Sequence, residues 1–196
     1  MAVTEYTHEG DEKTVSKAKV ILSVICGITV LTLGFLVYRL YPRHVTLVLK
    51  GVQYQLHSVY HRRPVTVILE GTLHRSLSTK STFDGTLDIH GATIPDRDNG
   101  KTLRIVFDGA AGGTIAYIHS HPLGVYAYGS IVANRSFNQF AILEFQPSGD
   151  GSGWTARNGL VIAAPARTVE QAVQLSNNLL HTYLNGYRLQ LAYKSH

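Results

Sequence analysis

VILSVICGITVLTLGFLVY, Val20 to Tyr38, decides how the rest of the chain is read: nineteen residues pass without one charge. A helix of that length covers roughly 28 Å, close to the ~30 Å hydrocarbon thickness of a bilayer. Lys13, Lys17 and Lys19 precede it, and Arg39, Arg43 and His44 follow it. Tyr38 and Tyr41 fall where an interfacial aromatic belt would place them. The helix of a soluble core would carry a polar stripe. This one has only Ser23, Thr29 and Thr32, all tolerable in lipid.

Cleavage is not expected. Phe35 to Leu40 offers no small-residue triplet, and Glu9, Asp11 and Glu12 sit badly in a signal-peptide amino region. Cys26 lies in mid-segment behind Ile25, which excludes a lipoprotein reading. The expected organisation is a cytoplasmic tail over 1–19, a transmembrane helix over 20–38 and a β-rich domain over 39–196. Basic residues balance across the span, so orientation rests on synthesis: a short tail stays in the cytosol and the larger part crosses. Ser23 and Gly27 form a small-xxx-small pair, with Gly34 on the same face. Such a face lets two helices approach closely, so homo-oligomerisation is an expectation there.

Composition supports one folded domain beyond the span. Of 196 residues, 44% are hydrophobic and 16% charged, too apolar for intrinsic disorder. A single Cys excludes an internal disulfide framework and Cys-based zinc sites. Short alternating runs follow one another. His44–Leu49 and Val52–Val59 flank Lys50-Gly51, read as a turn, and Val65, Val67 and Leu69 alternate up to Gly71. Phe83, Leu87 and Ile89 face away from Asp84, Asp88 and His90, and Leu103, Ile105 and Phe107 alternate with Arg104 and Asp108. Thr114–Ile118, Val125–Val132, Gln139–Gln146 and Leu160–Ala163 are further strands, with a loop over 147–153.

Thr168-Val-Glu-Gln171 is a capping box opening the only soluble helix, which Asn185-Gly186 closes. Tyr187 to Tyr193 then alternates like a final half-buried strand. The expected fold is α+β, mainly β: a transmembrane helix, then a compact antiparallel sandwich or partly closed barrel with one C-terminal helix.

The outline resembles uncharacterised single-pass membrane proteins of Gram-positive bacteria. Phe83-Asp-Gly-Thr-Leu-Asp-Ile89, Tyr128-Gly-Ser-Ile131, and Ala163-Ala-Pro-Ala166 leading into Glu170-Gln-Ala172 carry that resemblance. It spans most of the region after the apolar segment and implies no activity.

His119-Ser120-His121-Pro122 is the sharpest chemical candidate, because residues two apart on a strand share a face and can reach one Zn²⁺. The tetrapeptide resembles the His-x-His-Pro of the JAMM metalloproteases, which implies an upstream Glu as acid/base and a downstream Asp as ligand. Glu70 can be offered for the first role. No Asp lies between Asp108 and Asp150, and Gly129 and Val132 stand where the family has Ser and Asp. His57 and His61 read as surface histidines beside Arg62 and Arg63. No nucleophile elbow, P-loop or EF-hand is complete: Gly151-Ser-Gly153 sits in a loop, and Asp96, Asp98 and Asn99 lack a distal Glu. Asn134-Arg-Ser136 matches a glycosylation sequon by pattern alone.

Beyond Lys19 the chain nets +6, fifteen basic residues against nine acidic, scattered rather than clustered. Nucleic-acid binding needs a dense stripe, so it is not expected. The expected partners are the lipid bilayer and an anionic envelope polymer or another membrane protein. No cofactor is implied. The expected function is a non-enzymatic, membrane-anchored interaction or envelope-associated domain, with a metal-dependent hydrolase using His119 and His121 as the alternative.

Overall fold

The computed structural model describes residues 9–58, 61–77, 80–92, 103–109, 112–120, 123–148 and 151–191. The chain divides into two units, Met1–Tyr41 and Pro42–His196.

The first unit is one helix, α1 (Glu9–Leu40), so helix begins well before the apolar stretch. Ile21–Leu40 is long and apolar enough to cross a membrane. Its large side chains, from Ile21 and Leu22 to Val37 and Tyr38, are exposed. Thr29 and Thr32 donate their hydroxyls to the carbonyls of Ile25 and Ile28, one turn back. That satisfies both threonine hydroxyls inside the segment, as lipid requires.

The second unit has strands β1 (Arg43–Gln55), β2 (Arg62–Arg75), β3 (Lys80–His90), β4 (Leu103–Asp108), β5 (Gly113–Ser120), β6 (Leu123–Ala133), β7 (Phe140–Glu144), β8 (Gln146–Ser148), β9 (Gly151–Gly153) and β10 (Leu160–Ala164), then α2 (Val169–Leu180). β1 to β7 and β10 form an eight-stranded antiparallel barrel, closed where β10 pairs with β1. Strands consecutive in sequence are neighbours throughout, apart from the β8–β9 ribbon inserted before β10. Residues 147–153, expected as a loop, therefore include that ribbon.

Alternation fills the barrel. Val65, Val67, Leu69 and Leu73 of β2, Phe83, Leu87 and Ile89 of β3, and Leu103, Ile105 and Phe107 of β4 share one core with Ile142 and Ile162. Eight strands leave an interior that side chains fill, so the barrel axis is no ligand channel. Lys50-Gly51 is not a turn: β1 runs straight through it, and a Cβ at Gly51 would meet the Ala163 carbonyl at 2.6 Å. Gly71 likewise lies within β2, opposite Gly85 of β3. A Cβ at either would meet the Phe83 ring, at 2.7 and 2.8 Å. Two facing glycines thus make the space that one large ring fills.

Outside the barrel, α2 covers one face. Val169, Ala172, Ser176 and Leu180 are buried with Val52, Tyr54, Ala141, Leu143, Val161 and Ala163 in a second core. The capping box forms: Thr168 Oγ1 accepts from Gln171 N at 3.3 Å, and Gln171 Oε1 accepts from Arg167 N at 3.0 Å. α2 ends at Leu180, short of the expected Asn185-Gly186; turns continue over 181–186, and Asn185 and Gly186 take positive φ within them. Tyr187 to Leu191, expected as a strand, joins no sheet. Instead the Asn177 amide brackets the Leu189 backbone, donating to its carbonyl at 3.1 Å and accepting from its N–H at 2.7 Å.

Candidate functional site

The two ends of the barrel differ in chemistry. At the end where the chain enters at Arg43, the β6–β7 turn folds Phe137 inward. Its ring stacks on Phe83 with centroids 5.8 Å apart and meets Phe107 edge-on at 5.1 Å. Phe137 adopts φ 61°, an uncommon conformation for a residue with a large side chain. Asn134 holds that turn: its Oδ1 accepts from Asn138 N and Gln139 N at 3.0 and 3.2 Å, and its Nδ2 donates to Asn138 Oδ1 at 2.8 Å. The side chain matched as a glycosylation sequon is thus engaged in the turn.

The opposite end is polar. Along β7, Phe140 and Ile142 point into the barrel, and the same parity turns Glu144 inward. On β1 the inward row continues to Gln53, which is buried and donates Nε2 to Glu144 Oε2 at 2.6 Å. Arg63 is the register partner of Gln53 on β2, and His61 stands two residues before it. Gln53, His61, Arg63, Glu144 and Leu160 line a pocket of about 150 Å³. Burial pushes the Glu144 carboxyl above its ordinary range, which the Gln53 hydrogen bond only partly offsets. His61 and Arg63 remain exposed and, among the described residues, form no ion pair.

Two tyrosines, Tyr126 and Tyr128, feel this carboxylate, and Tyr117 neighbours both. Burial raises Tyr126, and the Glu144 charge adds to it. Burial likewise pushes the Tyr117 phenol up to about 12, and its hydroxyl donates to the Leu87 carbonyl at 3.4 Å. Tyr128 is fully buried, and burial raises its phenol furthest of the three, with the Glu144 charge adding to it. Among the described residues its hydroxyl has no hydrogen-bond partner. Tyr128 sits at a bulge: Ile115 pairs with Gly129 and Ala116 with Ala127, so the residue between is skipped. Its carbonyl still accepts from Phe145 N at 2.8 Å. The bulge keeps Tyr128 facing inward and shifts the parity of β6, so that Ile131 faces the core beyond it.

A larger depression of about 1030 Å³ runs between α2 and residues 187–191, past Val173, Asn177, His181 and Arg188. Asn177 is already engaged by Leu189, and no buried charge faces the depression. The barrel end therefore holds the richer chemistry.

The sequence-derived candidates lie elsewhere. His119 is in β5, where its backbone pairs with Gly124, and His121 lies outside the described residues. Glu70 is exposed on β2, three strands from β5 in the barrel order. Among the described residues no three metal-ligating side chains converge. Asp96, Asp98 and Asn99 lie outside the described residues. His57 is a structural residue, its Nδ1 3.0 Å from the Arg157 carbonyl. Ser23, Gly27 and Gly34 lie on α1, and a Cβ at either glycine would meet nothing within 4 Å.

Gln53, Arg63 and Glu144 were missed by reading the sequence. One signal was present: Phe140-Ala-Ile-Leu143 is apolar at every position, so both faces of β7 are covered and the Glu that ends it must be partly buried. No family model, curated protein or solved structure matches the chain.

Proposed function

We propose that this chain is a single-pass membrane protein that displays a closed β-barrel as a non-enzymatic binding module. The amino-terminal tail stays in the cytosol and the barrel stands outside, associated with the envelope. One observation carries the reading: Ile21–Leu40 is a twenty-residue, predominantly apolar helical stretch that stays exposed, while the barrel fills its own interior and covers its outer apolar face with α2. Water would not tolerate so long an exposed stretch, and a bilayer matches its length. Within the barrel unit, β1 runs roughly 33 Å from Arg43 to Gln53, so the polar pocket lies at the far end from the point of attachment.

Alkaline carbonate extraction followed by protease shaving of intact cells tests this reading. The chain is expected in the membrane pellet, with the barrel accessible to protease. Recovery in the carbonate supernatant overturns the anchor, and full protection of the barrel reverses the topology.

A further inference from the structure

The polar end of the barrel carries two opposite charges that do not meet. Glu144 projects from β7 and is held by Gln53, while Arg63 and His61 stand on the other wall of the same pocket. A fold that needed only stability would let Arg63 neutralise the half-buried carboxylate directly. Here an amide intervenes and leaves the gap open. The Tyr128 phenol does not line the pocket but feels the Glu144 charge, and among the described residues its buried hydroxyl has no partner, a cost that folded proteins rarely leave unanswered. The bulge in β6 is what places it there.

From this geometry we infer that the pocket recognises an amino-acid-sized zwitterion, its ammonium group on Glu144 and its carboxylate toward Arg63 and His61. The proposal rests on the binding-module reading and gives it a ligand class. Size agrees: about 150 Å³ is well below the roughly 300–1,000 Å³ of pockets for drug-sized ligands, and suits a free amino acid. Charge agrees as well. An ammonium group restores to Glu144 the solvation that burial removes, and a carboxylate gives Arg63 a planar acceptor for its fork of donors.

The test is calorimetric titration of the full-length chain in lipid nanodiscs with alanine, and with ethylamine and propionate as its two halves. Saturable binding of alanine is expected, with each half-ligand weaker by about tenfold or more. Glu144→Gln and Arg63→Met should each weaken alanine by about tenfold, with Trp154 fluorescence and circular dichroism unchanged.

Absence of alanine binding, affinity within twofold of the parent in Glu144→Gln, or ethylamine binding as well as alanine would each overturn the zwitterion site. Failure of the chain to enter nanodiscs overturns the anchor instead, and the same titration on the lipid-free protein still decides the pocket.

Discussion

At the residue scale, single side chains set the character of the two barrel ends. Asn134 supplies three hydrogen bonds to the turn that carries Phe137 into the core. Phe137→Ala should cost about 3–5 kcal/mol, the usual loss for a buried aromatic ring. Asn134→Ala should cost about 1–3 kcal/mol, and Asn134→Asp less, because its carboxylate still accepts from both backbone amides. Urea midpoints read from Trp154, whose indole N–H donates to the Leu160 carbonyl at 3.1 Å, check all three. At the other end, Glu144 makes the fold sensitive to pH. Its carboxyl holds a proton more tightly when folded than the ordinary 4.5. The stability it contributes is therefore full below that value and lost as pH rises through the raised one. Glu144→Gln removes the effect, so the variant should exceed the parent in stability at pH 7 and match it near pH 4. Asp84, held below its ordinary range by the Arg104 guanidinium, shifts the opposite way but is common to both proteins and cancels. Equal midpoints at pH 7 would refute the assignment.

At the scale of elements, alternation made most strands legible, and α2 was legible at its amino-terminal cap, though it ends at Leu180 rather than at Asn185-Gly186. What sequence obscured has physical causes. Gly51 and Gly71 read as punctuation, yet each lies inside a strand where a neighbour comes too close for a Cβ. The bulge at Tyr128 shifts the parity of β6, so Tyr128 and Ile131 both face the core although no period-two pattern joins them. Tyr187–Leu191 alternates like a strand but finds no free edge, because β10 and β1 have already closed the barrel. It is held by Asn177 instead, so Asn177→Ala should free the segment. Faster hydrogen exchange at the Leu189 amide would show it, and the barrel amides should keep their protection. The same scale governs α1. If Ser23, Gly27 and Gly34 pack against a second copy, oxidation at Cys26 should trap a dimer in membranes, and Gly27→Leu should abolish it. An unchanged dimer band in Gly27→Leu would remove that face from the argument.

For the whole molecule, closure was the feature hardest to foresee, since it depends on β1 meeting β10 more than a hundred residues later. β1 enters both cores. Val45, Leu47 and Leu49 pack against the barrel interior, while Val52, Tyr54 and Leu56 lie under α2. Among the described residues, both cores are drawn from the barrel unit alone. The barrel unit should therefore fold without its anchor: a fragment covering 42–196 is expected in the supernatant of lysed cells, monomeric, with the Trp154 emission of the full chain. Its unfolding should be cooperative, because β1 couples the two cores and neither persists without the other. Leu180→Asp, which puts a charge against Tyr54 and Leu143 under α2, should then lower the midpoint of the entire barrel rather than release the helix alone. Two separate transitions in that variant, one by circular dichroism for α2 and one by Trp154 for the barrel, would show that the covered face is an appendage and that the interior core suffices.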